Sequence, residues 1–544
     1  MLVSKLYNLN KLMMSENSKP NYFLPIYFAL FLAAGIFIGD FMSKPLDGEK
    51  LKNLENVQKL YDVMNILDEK YVDKINKDSV FDATINELLH KLDPHTNYIP
   101  ADQVAQMKES IEGKFGGIGV RFFMLRDTIC VSNVIPGSPS FDMGVLAGDK
   151  IIKINGKNVA NVKIQTNDVM SQLKGEPGTA VGFLVLRNKK TINFNIKRGI
   201  IPVPTVTCSY MLNAETGYIL IEQFSVPTYQ EFIQAAQKLK RQGMKKLVLD
   251  LRGNGGGVME SAVSIVDEFL PAGRIIVSAK GRKFPEQKEI ASGGGLLEDV
   301  KLAVLINEYS ASASEIVAGA IQDNDRGVIV GRTSFGKGLI QEDRAMNDGS
   351  SLRVTVARYY TPSGRCIQKP YTGKSYEEYI ADQERFNDRQ LESRDLKSFP
   401  DSLKFKTLLK KRTVYGGGGI YPDYYVRFDT TGMDLFFRAC RVEGIFTAFA
   451  FDYLVDKRTK WKSLTEFQLQ FSASEALLKS FYGFASTYYK IYPFEKPTAI
   501  SKSLLLKTIK AEIARQIWIE EGYYRIINTD DKEVNSALRE IDKF

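Results

Sequence analysis

Two histidines in a chain of 544 residues leave almost no imidazole for chemistry. Both fall in the segment Leu88-Leu89-His90-Lys91-Leu92-Asp93-Pro94-His95, where His90 sits on an apolar helical stripe and His95 follows a turn signal. Both are therefore expected to be structural, and neither a zinc centre nor a Ser/His/Asp triad is expected; no cofactor or metal is required. Cysteine is equally sparse: Cys130, Cys208, Cys366 and Cys440 are too dispersed for a disulfide framework or a CxxC zinc site. A concentrated basic stripe is missing too. The net charge of +9 is spread over 73 basic and 64 acidic residues, which argues against a nucleic-acid partner. What is present is 44% hydrophobic residues over a length at which single cores split, so several packed domains are expected.

One long uncharged run stands out, the eighteen residues from Tyr22 to Gly39. It meets the lower length for a membrane span, and we expect a single-pass anchor over 21–41 behind a tail at 1–20. A signal cleaved near Ala33-Ala34-Gly35 is the alternative, and no cysteine precedes Cys130, which excludes a lipoprotein. Lys5, Lys11 and Lys19 on one side balance Lys44, Lys50 and Lys52 on the other, so charge does not choose the orientation.

Residues 50–112 open with Leu51, Leu54, Leu60, Met64 and Leu67 at helical spacing, which predicts a packed amphipathic helix. Short alternating strands with glycine and proline punctuation follow over 113–200, as in a small β-rich module. Over 201–427 strands alternate with helical stretches, predicting an α/β core, and 428–544 reads as helical. In the β-rich module, Gly116-Gly117-Ile118-Gly119-Val120 lets successive backbone N–H groups converge on an anion. Together with Val145-Leu146-Ala147-Gly148-Asp149 and the strand that follows, this resembles a PDZ domain. The resemblance implies capture of a peptide carboxylate by Gly116, Gly117, Ile118 and Gly119, with the peptide adding a strand to the sheet edge.

The chemistry concentrates further on. Leu302-Ala303-Val304-Leu305-Ile306 predicts a buried parallel strand, followed by Ser310-Ala311-Ser312-Ala313-Ser314-Glu315-Ile316 at a helix start. A serine there lies at the positive end of the helix dipole, although taken alone ordinary N-capping is the better explanation of serine. The next segment adds Lys337 between Gly336 and Gly338, with Phe335, Leu339 and Ile340 to desolvate its amine and make it a base. Gln341 is placed to orient that amine. Upstream, Asp250-Leu251-Arg252-Gly253-Asn254-Gly255-Gly256-Gly257 ends a strand with a glycine loop. The amides of Gly255 and Gly256, with that of Ala313, are candidate oxyanion donors.

These segments, with Gly416-Gly417-Gly418-Gly419-Ile420-Tyr421-Pro422-Asp423 downstream and a PDZ-like module upstream, resemble the carboxyl-terminal processing peptidases, or tail-specific proteases. The resemblance spans about residues 50–427. It implies a crotonase-like α/β core, Ser312 as nucleophile, Lys337 as base, Gln341 supporting it and Asp323 in structural support. It also implies protein or peptide substrates with apolar C-terminal tails and a catalytic region in the periplasm, behind an inner-membrane anchor. Ser334, where that family commonly has threonine, creates a local Ser-x-x-Lys and a rival nucleophile.

Two other classes compete. Gly331-x-x-x-x-Gly336-Lys337 imitates a phosphate-binding loop, but Gly338 replaces its Ser or Thr, and Val258 replaces the third glycine of a dinucleotide fingerprint. A membrane-anchored PDZ scaffold with an inactive core is the non-enzymatic alternative. The helical stretch 428–544 matches no motif and leaves a homodimer or a shield over the site open.

Overall fold

The computed structural model describes residues 48–392 and 400–544. The anchor expected at 21–41 lies outside them, and among the described residues no helix is long and apolar enough to cross a membrane. The chain divides into two units, Met1–Thr84 and Ile85–Phe544. Its first described helices are α1 (Gly48–Lys70) and α2 (Lys77–His90). Among the stripe's described side chains, Leu60 of α1 is exposed and Met64 and Leu67 are half-buried, so these three do not pack fully as expected. A short stripe interrupted by Asn, Gln and Lys offers too little apolar width to bury a face.

The second unit begins with β1 (Asn97–Ile99) and α3 (Ala101–Glu112). A β-rich module follows: β2 (Lys114–Gly117), β3 (Val120–Met124), β4 (Ile129–Val134), α4 (Pro139–Asp142), β5 (Lys150–Ile154), β6 (Lys157–Asn158), α5 (Thr166–Leu173), β7 (Ala180–Arg187), β8 (Lys190–Lys197) and β9 (Gly199–Pro202). The order β3-β4-β5-β7-β8 forms its sheet, and β2 pairs with β9 to close the entry and exit of the module. Alternation along β7 and β8 puts Val181, Phe183, Val185, Phe194 and Ile196 into one core with Ile129, Ile151 and Val169.

The α/β core is built from β10 (Val206–Met211), β11 (Thr216–Ile221), α6 (Thr228–Arg241), β12 (Lys246–Asp250), α7 (Met259–Asp267), β13 (Ile275–Lys280), β14 (Gln287–Ile290), β15 (Lys301–Ile306), α8 (Ala313–Asp323), β16 (Val328–Gly331), β17 (Leu339–Ala345), β18 (Ser351–Tyr360), α9 (Tyr376–Glu392), β19 (Lys404–Lys406), β20 (Thr413–Tyr415) and β21 (Tyr424–Tyr425). The main sheet runs β10-β11-β12-β15-β16-β21, parallel from β11 onward. A second sheet, β1-β18-β13-β14 with β17 on β18, stands beside it.

Near-continuous apolar strands such as Leu247-Val248-Leu249 are what a sheet covered on both faces requires. Leu247 and Leu249 face α6, α7 and α8, while Val248 faces the other way, toward Val534, Ala537 and Ile541. That second cover comes from the far end of the chain: α10 (Leu435–Val442), α11 (Ile445–Tyr453), α12 (Leu464–Gln470), α13 (Glu475–Phe484), α14 (Ala499–Ile527) and α15 (Lys532–Glu540). This helical extension has its own aromatic core, into which the β-rich module inserts Leu125 and Cys130. Phe123 packs edge-on against Phe451, and Arg126 pairs with Asp452. The extension left unassigned by sequence is thus a strut touching both other modules.

Candidate active site

The sheet's parallel strands end together, and the loops that leave them carry the predicted chemistry, as expected at the carboxyl edge of an α/β sheet. After β15 the chain turns and enters α8 with Ser312 at its N-cap, φ 52° and ψ −113°. A residue with a side chain is strained there and persists only where its surroundings hold it. Two buried side chains do so. Ser312 N donates to Glu315 Oε2 at 2.8 Å, and Tyr359 Oη lies 3.1 Å from Ser312 O.

The same two side chains hold residue 337. Lys337 N donates to Glu315 Oε2 at 2.9 Å, and Tyr359 Oη lies 2.7 Å from Lys337 O, its proton shared between the two carbonyls. Main chain 312 and main chain 337 therefore lie side by side, amides on one carboxylate oxygen and carbonyls on one hydroxyl. Glu315 Oε1 also accepts from Ser334 Oγ at 2.5 Å and Gly336 N at 2.7 Å. Burial pushes the Glu315 carboxyl up, opposed by these hydrogen bonds. Glu315 stands three residues after the N-cap serine, a capping-box signal by which the sequence could have revealed it.

Lys337 is half-buried, and its ammonium is held below the ordinary lysine value mainly by burial. Arg353 pushes it the same way, while Glu315 and Asp93 oppose. Among the described residues its Nζ makes no hydrogen bond, so the orienting bond expected from Gln341 is not formed. The reason is a competing acceptor: Gln341 Nε2 donates to the His95 carbonyl at 2.6 Å. His95 reaches the site because Asp93 accepts from His95 N at 2.8 Å, Thr96 N at 2.9 Å and Thr96 Oγ1 at 2.6 Å, a tight turn leading into β1 on β18. Burial, aided by Lys337 and opposed by Asp93, lowers the His95 imidazole to about 4. Its ring packs between Phe335 and Tyr379. Its place beside Lys337 had no local sequence signal, since it depends on a pairing between β1 and β18.

The glycine loop presses directly on Ser312. A Cβ on Gly256, at φ 97°, would lie 2.8 Å from Ser312 Cβ and 2.7 Å from Ala311 O, so only glycine fits. Its amide, however, donates to Asn254 Oδ1 at 2.9 Å. Gly256 is therefore corrected from oxyanion donor to close-approach residue. The amides of Gly255 and Ala313 make no hydrogen bond among the described residues, and that of Ala313 is the first orphan N–H of α8. Ser334 is removed as a rival nucleophile: it is fully buried, donates to Glu315 and accepts from Ile420 N at 2.6 Å. Asp323 lies at the opposite end of α8, in a fully buried ion pair with Arg365 at 2.8 Å that also holds Ser363.

In the β-rich module a groove of about 530 Å³ runs between β3 and α5, lined by Gly117, Ile118, Gly119, Phe122, Met170 and Leu173 among others. Gly116 is not part of it. A Cβ at that position would lie 2.2 Å from Gly175 O, so Gly116 serves backbone packing, a correction to its expected role in carboxylate capture.

Comparison with known proteins agrees with this layout. Residues 215–375 match Peptidase family S41, residues 116–197 the PDZ domain, and residues 436–519 a family of unknown function. The chain is 36% identical over 351 residues to the "Carboxy-terminal-processing protease" of Bartonella bacilliformis, covering 62% of this chain and 80% of that one. It is 33% identical over 330 residues to a "Probable CtpA-like serine protease" of Staphylococcus aureus, covering 60% of this chain and 66% of that one. A solved photosystem II D1 C-terminal processing protease is 28% identical, covering 57% of this chain and 89% of that one, with a TM-score of 0.32. With its PDZ domain ahead of an α/β catalytic core, the chain belongs to peptidase family S41, the carboxy-terminal processing serine proteases.

Proposed function

We propose that Ser312 is the nucleophile of this serine protease and Lys337 its general base. The observation that carries the reading is the double staple, in which Glu315 binds both amides and Tyr359 both carbonyls of residues 312 and 337. Ser312 Oγ attacks the scissile carbonyl while neutral Lys337 takes its proton, and the amine then returns that proton to the leaving amino group. The acyl-enzyme is released by water through the same base. Ala313 N and Gly255 N are the donors for the oxyanion, aided by the positive end of α8. Gln341, with its N–H on His95, keeps Oε1 to accept from the amine once substrate closes the site.

Substrates are protein tails, delivered as an added strand to the groove between β3 and α5. Its lining by Ile118, Phe122, Met170 and Leu173 favours apolar C-terminal residues. The uncharged stretch Tyr22–Gly39 supports anchoring in the inner membrane, and the family resemblance alone supports a catalytic region in the periplasm.

The test is incubation of the full chain with an unfolded protein bearing an apolar C-terminus. Cleavage should vanish in Ser312→Ala and in Lys337→Ala and be indifferent to EDTA and ATP. Persistence of cleavage in either variant would remove that residue from its role.

A further inference from the structure

The helical extension does more than cover the sheet. Two arginines stand at the roots of the two loops that flank Ser312. Arg252 immediately precedes the glycine loop 253–257, and Arg332 precedes the loop 333–338 that carries Lys337. Both reach away from the reaction centre toward the first turn of α15. Arg332 is bound by Glu308 through Nε at 2.7 Å and through Nη1 by Glu533. Arg252 is bound by Asp250, with Nε at 2.9 Å from Oδ1, by Asp531 through Nη1 at 2.8 Å, and by Glu533. One carboxylate, that of Glu533, therefore ties the root of the oxyanion loop to the root of the base loop, using one oxygen for each guanidinium. The arrangement is enclosed, with 4% of the Arg332 side chain and 11% of Glu533 exposed.

The extension holds this carboxylate rigidly. Asp531 caps α15, accepting from Glu533 N at 2.8 Å and Val534 N at 3.0 Å, while Val534 and Ala537 pack on the sheet. Without Glu533, Arg332 keeps Glu308 and Arg252 keeps Asp250 and Asp531, so each loop retains local anchors. What is lost is the link between them.

We propose that Glu533 is a positioning residue for the reaction, through which the C-terminal helical extension sets the separation of the oxyanion loop from the lysine loop. This rests on the roles given above to Ser312 and Lys337. Two loops that meet only at a reacting centre need a fixed common reference, and displacements of the order of 1 Å at such a centre cost about a hundredfold in rate. The carboxylate bridge supplies that reference from the far end of the chain.

The test compares Glu533→Ala, Glu533→Gln and Val534→Ala in the full chain, measuring kcat, KM and Tm on an unfolded-protein substrate well below each Tm. Glu533→Ala is expected to lower kcat by about tenfold or more with KM within about twofold, and Glu533→Gln to fall between it and the parent. Val534→Ala removes core packing from the same helix without touching either arginine, so it should lower Tm and leave kcat unchanged. If kcat falls equally in Val534→Ala, or if Glu533→Ala keeps kcat within about twofold of the parent, the positioning role is overturned. Should Glu533→Ala fail to fold, the Glu533→Gln and Val534→Ala pair makes the same decision. A Ser312→Ala control that still cleaves would instead remove the underlying assignment.

Discussion

The PDZ groove and the junction at Ser312 solve opposite problems. The groove is lined largely by backbone and apolar side chains of strand β3 and one face of α5, with Met170 37% exposed. The junction is polar, sealed and indivisible: one carboxylate serves four donors and one hydroxyl serves two carbonyls. Shape-based recognition degrades gradually when one side chain changes, whereas a buried polar network loses every partner at once. Substitutions in the groove should therefore act on KM, and those at the junction on kcat.

Glu315→Ala should make the sharpest break. It leaves the proton of the Ser334 hydroxyl and three amides without acceptors in the interior, and kcat should fall by about 10³-fold with a stability loss of about 3 kcal/mol or more. Retention of kcat within about tenfold would show that Ser312 and Lys337 are held by other means. Asp323→Ala, at the far end of the same helix, should cost about 3–5 kcal/mol by leaving Arg365 buried without its partner. Denaturant unfolding reads this, and below its new midpoint the variant should keep most of its kcat. Tyr359→Phe removes the shared hydroxyl alone and should lower kcat about tenfold with KM unchanged. In the groove, Met170→Glu places a charge on an apolar wall and should raise KM about tenfold at constant kcat; an equal fall in kcat would erase the contrast between the two regions.

The pH dependence sharpens the comparison further. With Lys337 as the proposed base, kcat should rise with pH to a midpoint below the ordinary lysine value of 10.5. His95, lowered to about 4, adds no step near neutrality. The stability sign is also determined. The depressed folded value means the unfolded chain binds more protons in the window between that value and 10.5, so stability rises with pH there. Below the window the burial penalty on the ammonium is at its full size, and Lys337→Met should be more stable than the parent at neutral pH while being inactive. A flat kcat profile between about pH 5 and 9 would count against Lys337 as base.

Local pattern carried far. Strand periodicity separated the PDZ module from the α/β core, because each face of a strand declares its burial through alternate residues. Ser312 and Lys337 were singled out by short-range features, a strand end, a helix start and a glycine-flanked lysine, while their proposed roles came from the family resemblance. The capping-box position of Glu315 was available and was overlooked because the serines drew the interpretation. His95, Tyr359 and Glu533 could not be read in this way, since each gains its role from partners more than twenty residues away in sequence.

By itself the amino-acid sequence determined the strand-rich and helical stretches, the order of the PDZ and peptidase modules, and the candidate side chains for acyl transfer. Those are consequences of periodicity, backbone freedom at glycine and side-chain chemistry, all local. Only the tertiary structure decided that the amide of Gly256 is taken by Asn254, that Ser334 is sealed, and that the helical extension covers one face of the sheet and bridges Arg252 to Arg332. Hydrogen bonds and ion pairs in a buried site go to whichever partner the fold brings within about 3 Å, and chain order does not specify that choice.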